Sequence, residues 1–286
     1  MESPEIPLFN NPVQTTQNLA DVGIKKGNTS AWKLLLLGLM GGAFIAFASE
    51  GSNAAIHTIP SIGLAKALAG ALFSTGLMLV VLFGAELFTG NMLMVIALFR
   101  KDITLAKLLR NWALVYIGNF AGSVLIAVLI AASGQLDFSA GMLGAFTLKT
   151  AVYKVNLTFL KAFSMGILCN WLVCMGVWMA ANSKDATGKI LGIFFPIWLF
   201  ITSGFEHSVA NMYYIPAGLF IKSNPTYVQG ALDLGISAAA LDNLTWTVFL
   251  VDNLIPVTLG NIVGGGLFVG TVAFLSFGMA SRSRKS

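Results

Sequence analysis

Gly84, Ala85, Glu86, Leu87, Phe88, Thr89, Gly90, Asn91 and Met92 interrupt one long apolar run of this chain. Gly204, Phe205, Glu206, His207, Ser208, Val209, Ala210, Asn211 and Met212 interrupt another, 120 residues later. Each stretch sets a carboxylate, glycine and asparagine where unbroken leucine would be expected. A second pair of motifs follows in the same order: Asn111-x6-Gly118-Asn119-x2-Gly122 recurs as Asn253-x6-Gly260-Asn261-x2-Gly264. The two halves therefore share one plan, the signature of an internal repeat.

With 56% hydrophobic and 10% charged residues and a mean hydropathy of +0.80, the 286-residue chain has too little polar surface for a soluble globule. It reads as an all-α integral membrane protein. Apolar stretches at about 32–55, 66–99, 111–132, 157–181, 190–221 and 253–280 each exceed the roughly 20 helical residues needed to cross a bilayer. Six spans put three in each half. Since three is odd, the second repeat (about 157–280) starts on the opposite side from the first (about 32–132), which predicts inverted repeats with broken second and fifth helices.

Placing both termini in the cytoplasm puts twelve of the 17 Lys and Arg residues on that side, Lys25, Lys26, Arg100 and the tail residues Arg282, Arg284 and Lys285 among them. Lys66, Lys149, Lys154, Lys161 and Lys222 remain outside. The positive-inside bias thus supports an inner-membrane protein with residues 1–31 and 281–286 in the cytoplasm. The net charge of +5 is topological, and no aromatic-interleaved basic patch points to nucleic acid. In the polar N-terminal segment, Leu19 and Val22 could form the apolar side of a short interfacial helix after Thr15 and Thr16. Gly27 would stop it, Gly23 weakens it, and a mobile tail is the alternative. Cys169 and Cys174 read as small packing residues, and His57 as a solvated loop residue.

Lipid offers backbone groups no hydrogen bonds, so helix breaks at membrane depth must lie inside the protein or beside a wet cavity. Two breaks imply a pathway, and opposed half-helices would aim their positive N-terminal ends at a central anion. Glu86 and Glu206 must find donors in the interior. Their twin placement suggests that they cap backbone N–H groups freed at the breaks, with proton handling the alternative. Asn91, Asn119, Asn211 and Asn261 are expected to tie helices together, with substrate contact the alternative. His207 departs from the repeat, its counterpart being Leu87, and a titratable imidazole at a helix break is the candidate for permeation chemistry.

These residues resemble the motifs of the formate/nitrite transporter family. The similarity lies in Phe83 to Gly90, Leu168-Cys-Asn-Trp-Leu-Val-Cys174, Ser203 to Met212 and Asn253-Leu-Ile-Pro-Val-Thr-Leu-Gly-Asn261, and extends over about 32–280. It implies an aquaporin-like protomer, a homopentamer with one pore per subunit, and passage of small monovalent anions across a lipid bilayer. Carried over by the resemblance, Phe73, Leu77 and Phe200 would form a cytoplasmic constriction and Leu87, Phe88 and Val173 an outer one. Between them would lie His207 with Thr89 as its hydrogen-bonding neighbour. Lys154 would attract anions at the outer vestibule, and Glu86, Glu206, Asn91, Asn170, Asn211 and Asn261 would support the broken helices. Two dry rings around a polar island penalise a bare anion far more than a neutral acid, so protonation through His207 would lower the barrier.

Phe88 and Phe200 disfavour hydrosulfide, whose channels resemble this one but carry smaller constriction groups. Formate is the expected substrate and nitrite the alternative, the motifs being mixed. The polar N-terminal segment, which could gate the pore with pH, adds slightly to the formate side. A membrane redox subunit would need paired histidines or a metal-ligand cluster, and only two widely separated histidines are present. A neutral-solute channel of the aquaporin kind would carry paired Asn-Pro-Ala motifs, which are absent. No enzymatic activity, cofactor or metal is expected.

Overall fold

The computed structural model describes residues 8–278; the tail at 281–286 and the acidic and proline residues of positions 2–7 lie outside it. Among the described residues twelve helices follow one another, besides a short 3-10 turn at Gln135–Asp137: α1 Pro12–Asn28, α2 Ala31–Ile56, α3 Ile62–Phe83, α4 Gly90–Phe99, α5 Leu105–Ser133, α6 Met142–Val155, α7 Phe159–Asn182, α8 Ala186–Thr202, α9 Ser208–Ile221, α10 Pro225–Asp233, α11 Ala238–Asp242 and α12 Trp246–Gly278. Among them α2, α3, α5, α7 and α12 are each long and apolar enough to cross a membrane. With 17 residues, α8 falls short of that length and continues into α9 across the second break. Much of α12 is wound as π-helix, over Phe249–Leu254, Val263–Thr271 and Phe274–Gly278.

The duplicated glycine motifs are packing seams. Lipid supplies no hydrophobic drive for helix pairing, so helices gain contact by bringing backbones close at small residues. A Cβ on Gly42 of α2 would stand 2.0 Å from the carbonyl oxygen of Asn119, and one on Gly122 of α5 would stand 2.0 Å from that of Leu39. The second half repeats this between α7 and α12, where a Cβ on Gly260 or Gly264 would stand 2.2 Å from the Phe163 or 2.1 Å from the Ile167 oxygen. These glycines therefore serve contacts within one protomer.

The N-terminal segment is helical, as one of its two readings has it, but the helix is longer and its packing side differs. Asn11 caps α1 by accepting from Gln14 N–H, so the helix starts before Thr15 and runs through Gly27 to Asn28. Its buried side carries Thr15, Thr16, Leu19, Ala20, Gly23 and Gly27, whereas Val22 is exposed. Gly23 is where α1 meets α4: a Cβ there would lie 2.9 Å from that of Ala97. The chain before α1 is pinned too, Asn10 N–H donating to the Asn182 carbonyl at 2.8 Å. His57 is likewise engaged, its Nε2 lying 2.8 Å from the Ser139 hydroxyl. Cys169 and Cys174 are buried free thiols, as packing residues should be.

Candidate functional site

Both breaks are built alike. α3 ends at Gly84 and α8 runs out at Gly204, with φ of +80° and +73°, the left-handed region that glycine enters without a Cβ penalty. Downstream, Phe88 N–H donates to Asn119 Oδ1 at 2.9 Å, and Asn119 Nδ2 donates to the Gly38 and Glu86 carbonyls at 2.7 and 2.9 Å. In the second break Ser208 N–H donates to Asn261 Oδ1 at 2.9 Å, and Asn261 Nδ2 donates to the Gly166 and Glu206 carbonyls at 2.8 and 3.0 Å. The freed backbone groups are thus held by asparagine amides. The expectation that the glutamates cap them does not hold.

The carboxylates have other partners. Glu86 Oε2 accepts from Lys26 Nζ at 3.1 Å and Asn91 Nδ2 at 2.7 Å; Glu206 accepts from Lys154 Nζ at 2.8 Å and Asn211 Nδ2 at 2.7 Å. Asn91 and Asn211 donate in turn to Asn111 and Asn253, each at 2.8 Å. Asn253 Nδ2 donates back to the Lys154 carbonyl and Asn111 Nδ2 to that of Lys26. So α1 and α6, outside the repeats as drawn from hydropathy, occupy matching places in the two networks. From sequence alone Lys26 counts only among the cytoplasmic charges. Asn111 and Asn253 were visible in the duplicated motif, but spacing alone gave them no partner.

The two breaks meet at one contact: Thr89 Oγ1 lies 2.8 Å from His207 Nε2, both residues being buried. His207 also caps α9, its Nδ1 accepting from Ala210 N–H at 3.1 Å. A nitrogen that accepts carries no proton, so the neutral ring holds its hydrogen on Nε2 and donates it towards Thr89. Protonating Nδ1 would require α9 to give up this cap. A cavity of about 10 Å³, room for about one water, lies against the ring, lined by Ile45, Phe73, Leu77, Leu87, Val173, Ile197, Phe200 and His207.

Five of the six expected constriction residues therefore converge on one void. Phe73 and Phe200 meet edge to face at 5.6 Å, closing it on one side. Phe88 is not in this lining; its ring packs against Tyr116 and Trp112 at 4.8 and 6.2 Å. The expected sides are also reversed. α8 sets out beside Asn182 and Ser183, which touch Asn10 and Phe9 near α1. Phe200 lies about 21 Å along it at 1.5 Å per residue. Phe73 likewise precedes the first break by about 15 Å, on the side away from α1. Leu87 and Val173 are therefore nearer the N-terminal face, and Phe73 and Phe200 the opposite one. Asn170 joins the site from α7, donating to the Thr89 and Asn261 carbonyls at 3.2 and 2.7 Å.

Two broken helices meeting across a buried polar pair, inside a shell of membrane-length apolar helices, define a membrane transport protein. The chain belongs to the formate/nitrite transporter family, whose sequence profile matches residues 13–275. It is 39% identical over 263 residues to the formate channel FocA of Haemophilus influenzae, covering 91% of this chain and 92% of that protein. It is 38% identical to a probable formate transporter of Methanothermobacter thermautotrophicus, covering 94% of this chain and 97% of that one. Among solved structures it is similar to a pentameric formate channel with formate bound, with a TM-score of 0.75 at 36% identity over 86% of this chain and 97% of that chain.

Proposed function

We propose that this protein is a homopentameric formate channel of the cytoplasmic membrane, both termini inside, with one pore through each subunit. The observation that carries the reading is His207, the sole polar residue lining an otherwise apolar void where two broken helices meet, with Thr89 Oγ1 2.8 Å from its Nε2. The formate channels among its relatives supply the substrate. Leu87 and Val173 form the dry closure towards the cytoplasm, and Phe73, Leu77 and Phe200 the closure towards the outside. The anion loses most of its water there and accepts a hydrogen bond from His207 Nε2–H, which exchanges its Thr89 acceptor for the anion. Charging the imidazole displaces Ala210 N–H from Nδ1. After Nε2 passes its proton to formate the neutral ring keeps the other proton on Nδ1, so the cap reforms only when Nε2 has regained a proton and Nδ1 has lost its own, which ties proton delivery to the first turn of α9.

Purified protein in liposomes tests this. Formate uptake should exceed nitrite uptake and rise as the medium is acidified, and His207→Phe should abolish both the uptake and its pH dependence. A clear nitrite preference would replace the substrate, and a histidine-free channel with unchanged pH dependence would remove the imidazole from the mechanism.

A further inference from the structure

The outer mouth carries a cation that the twofold plan does not duplicate. Lys154 is ion-paired with Glu206 at 2.8 Å, its side chain only 11% exposed, and its ammonium lies 5.2 Å from the Tyr214 ring. Seen by an approaching anion, that pair is a short dipole, and its field dies away within a few ångströms in screened solvent. Lys26 is neutralised by Glu86 in the same way. Lys66 differs. It stands one turn into α3, is exposed, and its Nζ lies 3.5 Å from where a Cβ on Gly204 would be, against the left-handed turn of the second break. Among the described residues its ammonium has no hydrogen-bond or ion-pair partner. Thr202 and Ser203 beside it are exposed, so this face of the break opens outward. The repeat offset sets Ala186 opposite Lys66, so the inner break has no such residue.

We infer that Lys66 supplies the net positive charge that draws the permeating anion to the outer mouth, Lys154 serving to hold Glu206 and the second break. This rests on the channel reading above. An uncompensated charge beside a narrow opening raises the local anion concentration and the rate of access, an effect that salt removes. The absence of a side chain at Gly204 leaves the ammonium next to the backbone of the break, where the anion must pass to reach His207.

The test measures flux of the permeant anion into oriented proteoliposomes at low and high ionic strength. Lys66→Gln should lower flux from the outer side about threefold at low salt and leave flux from the inner side less affected. The deficit should disappear in high salt, and Lys66→Arg should restore wild-type behaviour. Equal flux for Lys66→Gln and wild type at low salt would overturn the inference, as would a deficit that salt does not remove, which would mark a structural role. A wild-type protein that carries no formate at all would instead defeat the channel reading.

Discussion

A single amide does at each break what no carboxylate can. Asn261 accepts one backbone N–H and donates to two backbone carbonyls, and Asn119 does the same in the other half. An aspartate of the same shape would keep the acceptor and set an oxygen against both carbonyls. Asn261→Asp and Asn119→Asp should each lose about 2 kcal/mol or more, since two buried acceptors lose their donors. Thermal unfolding in detergent reads this as a fall in the midpoint; an unchanged midpoint would mean that these amides do not hold the breaks. The sequence made both asparagines visible through their repeated setting, but not their partners. Glu86 and Glu206 were assigned the backbone caps because nothing in the spacing shows that α1 and α6 deliver Lys26 and Lys154 to them. The His207–Thr89 pairing was legible through the family resemblance, whereas the engagement of Nδ1 with Ala210 depends on the backbone turn itself.

Among the elements, glycines with one composition have two physical purposes, and substitution separates them. At Gly122 an added methyl would meet backbone, the Leu39 oxygen at 2.0 Å, so α2 and α5 would have to part. At Gly84 nothing lies within 4 Å of the built Cβ, and the cost is confined to a φ of +80°, about 1–2 kcal/mol. Gly122→Ala should therefore fail to give a monodisperse folded protein where Gly84→Ala gives a destabilised but assembled one. Size-exclusion profiles of the two, expressed alike, check the order; equal tolerance would contradict the close seam. The same distinction explains why α1 was only half legible. Gly23 and Gly27 weaken a helix judged on local propensity, yet here they are the surface that lets it lie against Ala97 and Ile103. Long apolar helices carry their own signal, and a polar helix whose stability comes from its docking partner does not.

At the scale of the whole molecule, hydropathy and the duplicated motifs disclosed the membrane class and the broken helices, because those are properties of the chain alone. Which exposed faces meet lipid and which meet neighbouring copies was not disclosed, since Leu72, Leu79, Leu125, Leu129 and Leu275 would suit either. The void beside His207 carries a stronger implication, for every residue lining it is buried in the interior of the single protomer. If five copies assemble, each should conduct independently. Native mass spectrometry should first give about five times the 30.3 kDa of the chain. Wild-type subunits co-assembled with equal amounts of His207→Phe subunits should then retain about half of the flux, because each intact protomer keeps its own pore. A shared central route needing five intact histidines would leave only about one thirty-second of it. A linear dependence of flux on the wild-type fraction supports one pathway per protomer, and a fifth-power dependence would move the pathway to the symmetry axis and away from His207.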